Sequence, residues 1–404
     1  MSAHGPVFRD NAKLDPALAG SLIKGGYAVG GLALLASVGG GFAGGDEGKK
    51  QFFFSWLAAY MPFITIAVCA LFFSVLHHLV RASWSTAVRR VAENLAGNIP
   101  MMAVLFIPIL LGMGDLYHWS HHDAVEHDAV LKAKSGYLNT GFFIGRAVFF
   151  FLVWTFLQHF FRTNSLKQDE TGDVALTFKM RKLAPVATLL FALTISFAAF
   201  DWSMSTSPHW FSTIYGVFTF AGGMMGMFAS MALATLWITG RGALGTTLTV
   251  DNFHDVGKLM WGFMVFWTYT GFSQYFLIWY GNIPEETIYF TIRQNNGWMS
   301  VFLLMVIGHF IAPFWILMSR HMKRSRAMLG AGAAWLLLMH YMDHYFMVMP
   351  VLHEHLHFHW LDATCLISIT GFFVAGWAQR TVKHNLVPVK DPQLLASMGY
   401  ENAV

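Results

Sequence analysis

Ten runs of predominantly apolar residues recur along the chain, near 22–44, 52–79, 98–114, 137–160, 183–203, 211–238, 257–280, 297–318, 327–349 and 361–379. The hydrocarbon core of a bilayer is about 30 Å thick and is crossed by roughly 20 helical residues. Inside lipid a helix satisfies all of its own backbone hydrogen bonds, so runs of this length point to spanning helices. Composition agrees: 55% of the 404 residues are hydrophobic and 12% are charged. A water-soluble chain needs about twice that charged fraction to cover its surface. The expected fold class is therefore an all-α integral membrane protein with about ten transmembrane helices, forming one polytopic domain over residues 1–404. Pro62, Pro108 and Pro313 fall inside runs, where they predict kinks rather than breaks. No tandem repeat, low-complexity tract or separate soluble domain is visible.

Cytoplasmic segments of membrane proteins carry an excess of lysine and arginine, which tests the count and sets an orientation. Of the 26 such residues, Lys49, Lys50, Lys132, Lys134 and Arg293 fall on one side and Arg146 lies within a run; the other twenty, from Arg9 to Lys390, share the opposite side. A miscounted span would scramble that asymmetry, so both termini are expected in the cytoplasm of a bacterial inner-membrane protein. The first twenty residues lack a signal-peptide pattern, and the N-terminus is expected to be retained. The basic, amphipathic segment from Arg81 to Ile99 is expected to lie along the cytoplasmic interface. Residues 162–182, RTNSLKQDETGDVALTFKMRK, form the longest polar cytoplasmic link, whereas the opposite face carries the histidine- and acid-rich stretches DLYHWSHHDAVEHDAV (115–130) and LHEHLHFHW (352–360).

Several functions are disfavoured. A sequence pI near 9.0 does not imply nucleic acid, because in a membrane protein basic residues chiefly fix topology and meet anionic lipid headgroups. Cys69 and Cys365 stand alone in apolar runs, without the spacing that holds zinc, covalent haem or an iron–sulfur cluster. No histidine pair dominates as ligands of haem b, although His78 with His159 or His309 satisfies the depth rule loosely. His353, His355, His357 and His359 alternate at strand period; a solvated loop docking on a partner explains them better than a metal site. No cofactor or metal is expected in this chain.

What remains is a set of titratable side chains at two depths. Near the cytoplasmic ends lie His77, His78, His159, Asp251, His254, Asp255, Lys258 and His309; toward the periplasm lie Asp115, Arg146, Asp201, His209, His340, Asp343 and His344. Thr270 and Gln274 share a helix face between the levels. An ionised group in hydrocarbon costs about 3 kcal/mol or more, so such residues face the bundle interior or a hydrated cavity. His340, Asp343 and His344 are spaced i, i+3 and i+4 and so share one face, a patch suited to proton exchange because histidine titrates near neutrality. The simpler alternative is that these groups hydrogen-bond neighbouring helices. Arg146, too deep to snorkel, needs a counter-charge, with Asp115 and Asp201 as candidates; that pair serves packing as readily as proton movement.

Four stretches carry a resemblance: EHDAVLKAKSGYLNTGFFIGR (126–146), DWSMSTSPHWFSTIYG (201–216), NFHDVGKLMWGFMVFWTYTGFSQYFLIWYGNIPEET (252–287) and HYMDHYFMVMP (340–350). Over nearly the whole chain from the second run onward, the sequence resembles the shorter of the two large membrane subunits, the ActF type, of bacterial alternative complex III. These subunits are related to the membrane subunit of polysulfide reductase. The resemblance implies two four-helix bundles with peripheral helices, within a quinol to cytochrome c, or other electron carrier, oxidoreductase. It implies a longer homologous membrane subunit that holds the quinol site, a periplasmic iron–sulfur subunit, c-type cytochrome subunits, lipids and, as a further candidate, a terminal oxidase as partners. Iron–sulfur clusters, haem c and quinol are expected in those partners, with this chain carrying part of a proton route and assembly contacts. One departure is His344, where the family pattern has an apolar residue. A purely structural anchor and a stand-alone proton-coupled transporter are the alternatives; the second is disfavoured because no pair of correspondingly interrupted helices is visible.

Overall fold

In the computed structural model, which describes residues 12–400, every regular element is a helix. Arg9, counted in the topology argument, lies outside the described residues, as does Val404. The long elements are α1 (Pro16–Ala43), α2 (Gly45–Leu79), α3 (Thr86–Ala96), α4 (Ile99–Leu105), α5 (Thr140–Thr171), α6 (Ala175–Trp202), α7 (Tyr215–Gly240) and α8 (Val250–Gly281). They continue with α9 (Pro284–Gln294), α10 (Trp298–Leu304), a π-helical stretch at Met305–Ile311, α11 (Ala312–Met318), α12 (Arg326–Val348) and α13 (Trp360–Lys383). Among the described residues, eight helical stretches are long and apolar enough to cross a membrane. Their outer faces present Leu35, Leu111, Leu152 and Leu189, each more than 60% exposed. The chain is a multi-pass helical membrane protein.

The two apolar runs outside those eight, 257–280 and 327–349, also fold as long helices, α8 and α12, of 32 and 23 residues. At 1.5 Å per residue, about 48 and 35 Å, both exceed the hydrocarbon thickness. Their mean hydropathy is lowered by the residues of interest, among them Gln274, His340, Asp343 and His344.

The axis of the fold is α2, which packs against α1, α3, α5, α6, α7, α12 and α13. Its Trp56, Leu57 and Tyr60 are wholly buried. On one side of it stand α4, α5 and α6; on the other stand α7, α8, α12 and the stretch from α10 to α11. At the periphery α1 lies along α13, and only small residues permit that approach. A Cβ added at Gly371 would meet the Gly26 carbonyl oxygen at 2.7 Å and the Gly30 Cα at 2.8 Å, the close packing that small residues give to membrane helices.

Three local expectations are corrected. All of α3 is buried, with Arg89 and Arg90 at 0% exposure, so its basic face turns into the protein and not outward to lipid headgroups. Their charges are neutralised internally: Arg89 bridges Glu93 at 3.0 Å and Asp391 at 2.9 Å, and Arg90 bridges Glu93 at 3.1 Å and Asp169 at 2.9 Å. The polar link at 162–182 is mostly helix, because α5 runs on to Thr171 and α6 begins at Ala175. Finally, Pro62 sits inside an unbroken α2, but Pro108 opens a separate short helix, Ile107–Leu111, and Pro313 opens α11 directly after the π-helical stretch. In a π register the amide that Pro313 lacks would have met the Gly308 carbonyl, and Trp335 Nε1 donates to that oxygen instead, at 2.6 Å.

Candidate functional site

His340 (1% exposed), Asp343 (4%) and His344 (1%) share the buried face of α12, as their spacing requires. Room for them comes from AGGMMGM in α7, since a Cβ at Gly226 would lie 2.8 Å from His340 Cδ2. From α2, the Thr65 hydroxyl donates to the Pro62 carbonyl at 2.8 Å and lies 3.1 Å from His340 Nε2. With the hydroxyl proton so engaged, Nε2 is the donor and Nδ1 the free acceptor of His340. The His340 and His344 rings stand 4.9 Å apart.

From α8, Trp267 Nε1 donates to Asp343 Oδ2 at 3.0 Å, while the Trp267 ring stacks on His309 with centroids 3.8 Å apart. His309, fully buried, projects from the π-helical stretch, and its Nε2 is 3.2 Å from Met225 Sδ. His309 thus belongs with the α12 patch and not with the cytoplasmic layer to which its position in the sequence assigned it. Four titratable groups, His309, His340, Asp343 and His344, form one cluster. Neither ring nitrogen of His344 meets a hydrogen-bond partner within the chain, nor does Nδ1 of His309 or of His340.

Beside the cluster, a cavity of about 520 Å³ lies between α8, α9, α12 and the π-helical stretch, with Asp343, Gln274 and Arg293 in its lining. Arg293 was assigned to a periplasmic connection, yet it is 2% exposed. It donates to the carbonyls of Tyr289, Phe346 and Met347 at 2.9, 3.2 and 2.7 Å and stacks on the Tyr289 ring. Those of Phe346 and Met347 belong to the last turn of α12, where carbonyls lack intrahelical donors and a cation is favoured by the helix dipole.

Arg146 finds Asp201 as its partner, in a fork with Nε to Oδ2 at 2.7 Å and Nη2 to Oδ1 at 3.0 Å. The ring of Tyr137 covers the guanidinium at 3.8 Å. Asp115 is exposed and takes no part in the pair. His159 is also exposed, on the outer face of α5, and does not join an interior layer. In the other sequence-assigned layer, Arg89 donates to His77 Nε2 at 2.7 Å, so His77 donates from Nδ1 to Ser85 Oγ, also at 2.7 Å. His78 stacks on Phe161, His254 is buried, and Lys258 bridges Asp255 at 2.6 Å.

A second polar group near the histidine-rich loop had no signal in the sequence beyond single residues in apolar runs. Asp362 accepts from Ser55, Gln51, Tyr345 and the His359 amide. His353 Nε2 in turn lies 2.6 Å from Gln51 Oε1. Burial, and next His357, hold the His353 imidazole below its ordinary range. Outside the helices, His209 bridges Asp128, whose carboxyl that hydrogen bond lowers below the usual range. Among the described residues no group of three or more histidine, cysteine, aspartate or glutamate side chains has a metal-holding arrangement. Comparison with protein-family models and with curated proteins gives no match.

The Arg146–Asp201 fork gives a stability prediction. Removing one member of a buried pair strands the other charge, so Arg146→Gln should lower stability by about 3–5 kcal/mol. A clearly lowered midpoint of thermal unfolding in detergent would be expected, and an unchanged midpoint would remove the pair from the account of stability.

Proposed function

We propose that the chain is the cofactor-free, ActF-type membrane subunit of a quinol:electron-acceptor oxidoreductase resembling alternative complex III, and that its α12 cluster exchanges protons with the periplasmic side. The supporting observation is the cluster itself. Packing alone calls for polar groups that satisfy one another, yet His344 is buried with both ring nitrogens unpartnered and Asp343 borders a cavity. Buried titratable groups in a membrane domain mark proton routes more readily than they mark glue.

In this proposal α8 and α12 complete a set of ten spans, with both termini in the cytoplasm. The helices α2 and α4 to α6 form one four-helix bundle. The helices α7, α8 and α12, with the stretch from α10 to α11, form the other, and α1 and α13 are peripheral. The longer homologous membrane subunit and the periplasmic iron–sulfur and c-type cytochrome subunits are the proposed partners, and the redox cofactors reside in them. A purely structural anchor is the second reading, favoured by the Arg146–Asp201 fork and by the Arg89–Arg90 network, both of which lock helices together.

Reporter fusions active only in the periplasm should be active after residue 128 and silent after Val404. Activity after Val404 would break the ten-span arrangement. For the cluster, Asp343→Asn preserves shape while removing the ionisable carboxyl. Quinol-dependent reduction of the acceptor by intact complex, followed across about pH 5 to 9, should fall roughly tenfold or change its pH profile. A wild-type profile in a fully assembled Asp343→Asn complex would leave the anchor reading in its place.

A further inference from the structure

The cavity beside the cluster has a character of its own. Its mouth lies between α8 and the π-helical stretch, where Tyr269 is 64% and Phe272 62% exposed and Val306 and Ile311 also face outward. In the ten-span arrangement proposed above, on which this step rests, these residues lie in the spanning part of the helices, so the mouth opens sideways into hydrocarbon and admits what is dissolved there. The walls are aromatic, including Phe218, Trp267, Phe302 and Phe310. Two polar side chains among them keep unused hydrogen-bonding capacity. Asp343 receives Trp267 on Oδ2 and makes no hydrogen bond within the chain through its other oxygen. Gln274 (7% exposed) accepts from Ser212 at 2.9 Å through Oε1, leaving its amide nitrogen without a partner in the chain.

The occupant follows from that arrangement. A hydrocarbon chain alone would bury an acceptor and a donor without partners, which is unfavourable. A phospholipid headgroup would need a free cation, and the Arg293 guanidinium is committed to three backbone carbonyls. A flat ring bearing a hydroxyl and a carbonyl or second hydroxyl, with a hydrocarbon tail, satisfies every feature. The ring fills the aromatic chamber, its oxygens meet Asp343 and Gln274, and the tail leaves through the lipid-facing mouth. At about 520 Å³ the space falls within the usual range for small-molecule sites.

We infer that this chain carries its own binding site for a lipid-soluble quinone or quinol, between α8, the π-helical stretch and α12, with Asp343 and Gln274 as its polar contacts. The resemblance places the quinol in the longer partner; this site is additional to that one. The inference concerns binding and does not depend on the proton-exchange reading.

The test uses the full-length protein in its native complex and an azido-substituted short-tailed ubiquinone as photoaffinity probe, with labelled peptides mapped by mass spectrometry. Label is expected within residues 265–275, 302–311 and 343–347, competed by decylubiquinone and not by dodecane. Val306→Trp, a lipid-facing change that narrows the mouth, should lower labelling about tenfold or more, whereas Leu35→Trp on the outer face of α1 should leave it unchanged. Equal competition by dodecane would make the cavity an acyl-chain slot and overturn the inference. So would label confined to the longer subunit or spread evenly over the lipid-facing helices. Because binding is read rather than turnover, failure here is separable from failure of the proton role.

Discussion

An ionised side chain surrounded by hydrocarbon has to find its counter-charge or its hydrogen bonds inside the protein. Nearly every deep cation in this molecule can be explained by that constraint. Arg146 forks onto Asp201, and Arg89 and Arg90 share Glu93 and divide Asp391 and Asp169 between them. Where no carboxylate is near, helix ends serve instead. Arg293 takes carbonyls from the last turn of α12, and Lys323 takes those of Leu317 and Met318 at the end of α11. These contacts fix helix against helix, and in doing so they position α12.

The α12 cluster is the exception, and the backbone around it departs from regularity in the same place. Pro313 forces a change of register in the helix opposite, Trp335 supplies the missing donor, and the resulting π-helical stretch turns His309 onto Trp267. Such insertions cost helix regularity and recur at functional positions. Here the insertion brings a fourth titratable group to three already aligned by sequence spacing, and it forms one wall of the cavity. Proton exchange and ring binding would therefore draw on the same local distortion, with Asp343 at the point where the two meet.

Much of this was legible in the sequence. Apolar length located the eight stretches long and apolar enough to cross a membrane and the two further long helices α8 and α12, because the bilayer dictates that length; the i, i+3, i+4 spacing gave the shared face of His340, Asp343 and His344; and depth alone demanded a partner for Arg146. What failed depended on rotation about a helix axis or on pairing across the fold. His159 occupies a plausible depth on the outward face of α5. Asp115 lies in the four-residue turn Met113–Leu116, exposed, while Asp201 is wholly buried. The basic helix α3 looked like a surface element because its neutralising partners Asp169 and Asp391 lie far away in sequence. His309 was misplaced for a related reason: a π insertion changes which face a side chain occupies, and apolar periodicity does not report it. The Asp362 group was invisible because Gln51, Ser55 and Asp362 come from the two ends of the chain.

The central claim, that Asp343 changes protonation inside a membrane domain, is open to direct observation by infrared difference spectroscopy of the intact complex across about pH 5 to 9. A carboxyl stretching band that responds to pH and disappears in Asp343→Asn is the predicted result. A carboxyl signal from Asp343 that stays constant over that range would contradict it.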